Sequence, residues 1–445
     1  MIFSNGTHFM LIIRNTLLTL TVVIGLTVSL TTHATNGYFA HGYGTKNKAL
    51  AGGGSALPQD AMIAATNPAG MVWVGNRMDV GAAVFSPRRE YTVTGDTTPD
   101  APPAFDLVVE NVESDSNFFL IPHFARNWML DASSAAGLTV YGNGGMNTDY
   151  PSSAGGGIGT YYGAMAGGKA GAGVDLAQLF INATYARKIN DTSSWGISAI
   201  AAYQRFKATG LAAFGPYSSD PTKLTDNGYD YSLGYGARLG LQAEVIPGTT
   251  LAASYQSKIT MGEFDKYAGL FAEQGGFDIP ATWTLGLAHD FASAGTVTFD
   301  VQTIYYGDVK SIANPLLPNL GASQLGNNDG AGFGYENMTV YKLGYQWSTG
   351  PKWQWRVGYS RGKQPIPSSE VLFNILAPAV MEQHITGGFT LITGSDSEFN
   401  FAAMYAPSSS VTGPNPLSGL PGPADQNIKL QMTEFELEAS WTRKF

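Results

Sequence analysis

Nine charged side chains stand where a two-residue alternation turns them to the polar face of a sheet: Arg238, Lys258, Lys342, Arg356, Asp300, Glu244, Glu434, Glu436 and Glu438. The chemistry open to the basic ones is electrostatic. A carboxylate taken out of water needs an Arg or Lys that donates to it, so Arg238, Lys342 and Arg356 are candidates for holding an acidic ligand. The plainer reading is that these charges pair with one another or with a neighbouring segment, as a polar interior requires. A second set is apolar. In 262–280, Tyr267, Leu270 and Phe271 fall at i, i+3 and i+4, the spacing of one helix face. In 367–381, Pro367-Ser368 marks a helix start with Ser368 as its cap, and Val371, Leu372, Ile375 and Leu376 then share a face. These seven are candidates for capturing an apolar ligand. An apolar helical stripe equally serves as local core.

Other chemistry is excluded or unsupported. The chain has no cysteine, which removes disulfides, thiolate catalysis and Cys-based metal sites. His41, His123, His289 and His384 show no metal-ligand spacing. No Gly-x-Ser-x-Gly elbow is present, and Gly171-Ala172-Gly173 lacks the strand–helix context of a nucleotide loop. The reading is therefore a non-enzyme without cofactor or metal. Net charge is −9 and the pI about 5.1. No basic stripe is visible, so no nucleic-acid partner is expected.

The elements that would position these residues are strands. Charged residues are 13% of the chain, about half the usual share of roughly 25%. Glycine is abundant, 55 of 445, and mean hydropathy is −0.04. That balance suits a transmembrane β-barrel, with one face to lipid and one to a polar lumen; a helical membrane protein is far more apolar. From residue 78 onward the chain alternates apolar and polar. Across 229–245, Tyr231, Leu233, Tyr235, Leu239 and Leu241 oppose Ser232, Arg238, Gln242 and Glu244. In the last segment Phe435, Leu437, Ala439 and Trp441 oppose Glu434, Glu436, Glu438 and Ser440. Such period-two runs are half-buried strands. Fourteen are read, at 78–92, 115–129, 134–142, 178–189, 193–211, 228–246, 249–261, 281–292, 295–308, 337–349, 352–366, 382–393, 397–411 and 428–445. Their connections alternate long and short. The short ones, such as Asn190-Asp191-Thr192, Pro247-Gly248 and Gly350-Pro351, are turn formers. An even strand number with short periplasmic turns and long outer loops is the bacterial outer-membrane pattern. An all-β, antiparallel 14-stranded transmembrane barrel follows.

Two segments precede it. Residues 17–30 (LLTLTVVIGLTVSL) are apolar, Arg14 stands before them, and Thr32-His33-Ala34 offers small residues at −3 and −1. This reads as a secretory signal, 1–34, cleaved after Ala34; the run is short of the roughly 20 residues of a spanning helix. Residues 35–77 are rich in Gly and Ala and end in Asn67-Pro68-Ala69. They show neither strand alternation nor a helical stripe, and are expected to form a plug in the lumen of the 78–445 barrel. Asn67 before Pro68 is biased to extended backbone at a turn.

Three stretches stand out as motifs: Gly42-Tyr43-Gly44-Thr45-Lys46-Asn47-Lys48-Ala49-Leu50-Ala51-Gly52-Gly53, running through Ala56 and Asp60-Ala61 to Asn67-Pro68-Ala69; Gly142-Asn143-Gly144-Gly145-Met146; and Phe277-Asp278-Ile279-Pro280. In these residues the sequence resembles the FadL-type family of outer-membrane transporters, which includes long-chain fatty acid and toluene/xylene-type members. The C-terminal Phe445 is similar to the signal read by the barrel-assembly machinery. The resemblance implies uptake of a hydrophobic small molecule across the outer membrane and its lipopolysaccharide: capture by loops, binding in the lumen, movement of the plug, and lateral exit at a kink in the third strand. Here the third segment runs into Gly142-Asn143-Gly144-Gly145, and glycine inside a strand weakens pairing. The expected gap lies near Gly137 or at Gly142, Gly144 and Gly145. Fatty acid, alkane and aromatic ligands stay open, and a monomer is expected. The alternatives are a general porin for polar solutes, which a plugged lumen disfavours, and an outer-membrane lipid-modifying enzyme.

Overall fold

The computed structural model describes residues 36–97, 105–151 and 171–445. The expected signal segment and its cleavage site lie outside the described residues. Fourteen long strands follow one another: β1 Arg77–Gly95, β2 Phe119–Met129, β3 Ser134–Tyr150, β4 Ala172–Lys188, β5 Ser193–Thr209, β6 Asp230–Ile246, β7 Thr249–Gln256, β8 Thr282–Asp290, β9 Thr296–Ile304, β10 Met338–Thr349, β11 Trp353–Gly362, β12 Gln383–Ile392, β13 Ser397–Pro414 and β14 Gln426–Lys444. Each pairs antiparallel with the next. β14 returns to β1 in unbroken register from Arg77↔Lys444 to Gly95↔Gln426. The sheet is therefore closed and has no free edge at its seam, which is how a barrel satisfies its backbone in lipid.

Period-two alternation sets the two faces. On β6, Tyr231, Leu233, Tyr235, Leu239 and Leu241 are exposed, while Ser232, Arg238 and Gln242 are buried. On β14, Phe435, Leu437 and Trp441 point out, while Glu434, Glu436 and Glu438 are buried. The outside is apolar and the inside polar, the reverse of a soluble protein and the arrangement a bilayer demands. Aromatic rings gather on the outer wall toward the short turns, with Trp353 stacked on Trp355 at 5.5 Å and Tyr345 on Trp347 at 5.3 Å. Among the described residues no helix is long and apolar enough to cross a membrane.

Several boundaries differ from the sequence reading, most of all around β3 and at the end of β7. β3 does not stop at Gly142; it continues to Tyr150, and β4 begins at Ala172. The glycines make a register shift between Gly142 and Gly144 rather than an end, because β4 keeps pairing on the far side. β7 ends at Gln256, and Thr260–Met261 is a separate short strand against β6.

Residues 36–76 form a helical turn at Thr45–Lys48 and two 3-10 turns, Ala61–Ala65 and Pro68–Trp73. They bond to inward-facing side chains around the whole ring, from Asp79 on β1 to Glu438 on β14. A segment tied to every side of a closed barrel lies inside it. The outer loops make a second core, in which aromatic and aliphatic side chains from several connections pack over the ring.

Candidate functional site

The inner segment is held by polar bonds to the wall. Lys46 Nζ is 2.6 Å from Glu398, and Lys48 Nζ is 2.9 Å from Glu436 and 2.7 Å from Glu438. Thr45 Oγ1 donates to Glu438 at 2.7 Å. Burial alone would lower the Lys48 pKa, but Glu436 and Glu438 raise it above the ordinary lysine value, so the ammonium stays charged. The alternation on β14 points to the lumen-facing glutamates, but not to their partner Lys48, nor to the pair of Lys46 with Glu398 on β13. The available signal was two lysines in a segment otherwise nearly free of charge.

Asn67-Pro68-Ala69 seats against β5 and β6. The Asn67 side chain accepts from Ala69 N at 3.1 Å and donates to Ser55 O at 3.0 Å and Leu241 O at 3.3 Å. Gly196 and Gly240 are cross-strand partners. A Cβ on Gly240 would lie 2.1 Å from Asn67 Oδ1, and one on Gly196 2.5 Å from the Pro68 carbonyl carbon. The pair of glycines is a flat bed for the turn. Ser194 Oγ donates to Ala69 O at 2.8 Å and accepts from Trp73 Nε1 at 2.9 Å.

The three basic candidates are each engaged. Arg238 donates to Ala65 O and to Gln256. Lys342 donates to His41 O at 3.1 Å and Gly52 O at 3.3 Å. Arg356 donates to Gln59 and Thr390, both at 2.8 Å, and to Gln354. All three are buried. Asp300 accepts from Gly54 N and Ser55 N at 3.0 and 2.9 Å. Two of the nine charges do not face the lumen. Lys258 lies past the end of β7, paired with Asp278 at 2.8 Å and half-exposed. Glu244 is exposed at the β6–β7 turn, where it accepts from Gly248 N.

Above the inner segment the chemistry changes. A cavity among the loops is lined by Val174, Phe206, Leu211, Phe214, Leu224, Leu270, Phe271, Leu325, Phe333, Phe373 and Leu376, without a polar side chain. Of the seven capture candidates, Leu270, Phe271 and Leu376 line it. Tyr267, Val371, Leu372 and Ile375 are buried in the surrounding core. The Tyr267 hydroxyl donates to Gly228 O at 2.6 Å and accepts from Ala208 N at 3.1 Å, so it ties loop to strand. The expected helices did not form. Residues 367–381 make two 3-10 turns, Ser368–Glu370 and Phe373–Ile375, and Ser368 caps neither. Residues 262–280 have a 3-10 turn at Asp265–Tyr267, followed by left-handed backbone at Glu273 and Gln274. Loop packing over the cavity decided these conformations, overriding a stripe too short to propagate a helix alone.

The wall opens beside this cavity. β2 pairs with β3 only from His123↔Tyr141 to Met129↔Ala135. Beyond that, the strand pairing of Phe119 to Pro122 is with β1, and that of Gly144 to Tyr150 is with β4, not with each other. The two sides rejoin where Asp115 N donates to Asp149 O at 2.8 Å and Asp149 N donates to Ser114 Oγ at 3.0 Å. Arg89 also donates to Asn147 O there. The inner mouth is covered by residues 36–40: Ala40 N donates to Asn143 O at 2.9 Å, and Gly145 N to Tyr38 O at 2.8 Å. Gly144 permits that approach, since a Cβ there would lie 2.0 Å from Tyr38 O. Gly142 faces Ile121 across the opening, 3.2 Å from Cγ2 to a Cβ placed on the glycine. Gly137 is not at the break. It pairs with Asn127 on one side and Thr184 on the other, and its missing side chain makes room for Met71.

A family model described as outer membrane protein transport protein (OMPP1/FadL/TodX) matches residues 26–412. No curated protein matches the chain. Among solved structures, the Pseudomonas putida toluene transporter TodX is similar, with 18% identity, a TM-score of 0.65, and 91% of this chain and 99% of that chain covered. The Ralstonia pickettii toluene transporter TbuX follows at 17% identity and a TM-score of 0.60, over 91% and 99%. A Pseudomonas aeruginosa FadL homologue has 14% identity and a TM-score of 0.65, over 92% and 100%.

Proposed function

Because this chain belongs to the outer membrane transport protein family of FadL and TodX, we propose that it takes in small neutral hydrophobic compounds through the loop cavity and the opening between β2 and β3. It is an outer-membrane transporter of hydrophobic compounds, not an enzyme. The observation that carries the choice of ligand is the cavity wall: eleven residues, all apolar. A neutral hydrophobe gains there by leaving water, about 25 cal/mol per Å² of apolar surface. A carboxylate would find no donor in that wall. Two of the structural neighbours are named as toluene transporters, and a monoaromatic hydrocarbon suits these walls.

In this reading Leu270, Phe271 and Leu376 receive the ligand, with Tyr267, Val371, Leu372 and Ile375 as the frame that keeps them in place. Residues 35–77 act as the plug, with Asn67, Pro68 and Ala69 as its seat, and the 78–445 barrel is the conduit. The ligand leaves sideways at Gly142, Gly144 and Gly145, so it never has to cross the polar interface below. Arg238, Lys342 and Arg356 serve the plug. The chain works as a monomer and is delivered by the barrel-assembly machinery through Phe445.

The test is binding of toluene, palmitate and hexadecane to detergent-purified protein, with Phe271→Asp and, separately, Arg238→Ala, Lys342→Ala and Arg356→Ala. Toluene binding abolished by Phe271→Asp and untouched by the basic variants supports the reading. Palmitate binding lost in one basic variant replaces it with a carboxylate clamp. Binding of none of the three, with uptake of sugars by proteoliposomes, replaces it with a porin.

A further inference from the structure

We propose that Tyr306 is a positioning residue that holds residues 36–40 across the inner mouth of the wall opening, and so sets how readily that opening clears. This rests on the opening being the ligand's exit.

The strip is a tight turn. Asn36 N donates to Phe39 O at 2.9 Å, and Phe39 N to Asn36 O at 3.3 Å. Gly37 has φ +69°, and a Cβ there would lie 2.4 to 2.5 Å from the Tyr306 hydroxyl and ring. Only glycine meets both conditions: the left-handed backbone and a ring edge and hydroxyl packed against it. The Tyr306 hydroxyl donates to Asn36 O and accepts from Tyr38 N at 3.2 Å. The strip is thus bonded on one side by β3 backbone and on the other by the Tyr306 hydroxyl.

That side chain is also linked to the ligand cavity through neighbouring rings. Tyr306 lies in the 3-10 turn just after β9 and is fully buried. Its ring centroid is 5.1 Å from Tyr38 and 5.6 Å from Tyr335. The Tyr335 hydroxyl donates to Ala377 O at 2.7 Å, next to the cavity residue Leu376. Tyr38 is 6.1 Å from Phe277, which is 4.8 Å from the cavity residue Phe271. Rings therefore reach the strip from the cavity wall by two routes, Phe271–Phe277–Tyr38 and Phe333–Tyr335–Tyr306, and Tyr306 is the ring whose polar atom bonds the strip's backbone.

The experiment compares wild type, Tyr306→Phe and Tyr335→Phe. Tyr306→Phe keeps the ring and deletes both bonds to the strip; Tyr335→Phe deletes a bond in the same cluster that does not touch the strip. Hydrogen exchange is read at residues 38–40 and 145, and uptake is measured with toluene and palmitate side by side. In Tyr306→Phe, exchange at these amides is expected to be about tenfold faster, the effect of losing roughly one net hydrogen bond, with strand amides unchanged. Maximal uptake should rise severalfold at unchanged half-saturation, a split that general loosening would not give. Unchanged exchange, or the same change in Tyr335→Phe, overturns the proposal. So does faster exchange with flat or reduced uptake, since the strip would then be held but would not stand on the route. If wild type takes up neither probe, the transport reading falls by itself, and exchange still decides whether Tyr306 holds the strip.

Discussion

The lower and upper halves of the lumen are fastened by different chemistry. Below, ion pairs and hydrogen bonds tie the inner segment to the wall beside a small apolar patch of Ile63, Met71 and Val72 on Ala135 and Ala186, and glycines such as Gly196 and Gly240 bring backbones close. Above, the loops meet one another through rings and aliphatic chains around a cavity with no polar lining. Polar contacts are directional and costly to break singly, since the partner left behind is a buried charge. Apolar contacts are non-directional and reward any apolar occupant. One half is suited to holding a fixed partner, the other to accepting a variable one.

The largest effect expected is at the lower interface. Lys48→Ala takes the cation from Glu436 and leaves Glu438 with its Thr45 bond, and should cost the inner segment about 3–5 kcal/mol of protection against hydrogen exchange, while ligand affinity in the loops stays as it was. Adding Glu436→Gln and Glu438→Gln to Lys48→Met should return most of that protection; if Lys48→Ala leaves exchange unchanged, the ion pairs are incidental. Next is Gly240→Val, which drives a side chain into Asn67 and should cost about 1–3 kcal/mol, read as faster exchange across 60–70 with barrel strands unaffected. In the upper half, Leu270→Ala with Leu376→Ala removes cavity wall and should weaken toluene binding by about tenfold, on the order of 1–2 kcal/mol of lost apolar contact, without loosening the inner segment. A matching loss at the inner segment would mean that the halves are not separable. The smallest is Trp73→Phe, which gives up the bond to Ser194 for about 1 kcal/mol, seen as a small rise in exchange at 69–73.

How much of this was legible depended on which periodicity carried it. All fourteen strands and the sorting of short and long connections followed from alternation and turn residues, because in a barrel each face meets one solvent along its whole length. Some inward charges were visible for the same reason, such as Arg238, Asp300 and Glu434, but Asp79, Arg89 and Glu398 are equally buried on strands and were not among those read, and Lys258 lies where its strand has ended. What the charges bond to was not visible: Lys48 and Glu438 are far apart in sequence, and no local pattern couples them. The loops failed differently. Tyr267, Val371 and Leu372 were rightly singled out as apolar, but short stripes took 3-10 and left-handed backbone to fit their neighbours. At Gly142 to Gly145 the glycines were read as an end and instead produced a register shift, because one neighbour let go while the other stayed paired.

The route of Thr45 to Glu438 has a consequence in time. These two bonded residues are 393 positions apart, so the ends of the chain meet across nearly the whole barrel. Loops of that length close late and slowly. The glutamates that receive Lys48 sit on β14, the strand that also completes the ring against β1. The inner segment is the first of the described residues to be made, and its principal ionic partners are among the last. Closure of the wall and locking of its contents therefore belong to one late event at one seam, and a barrel halted before its final strand would carry its own contents unfastened.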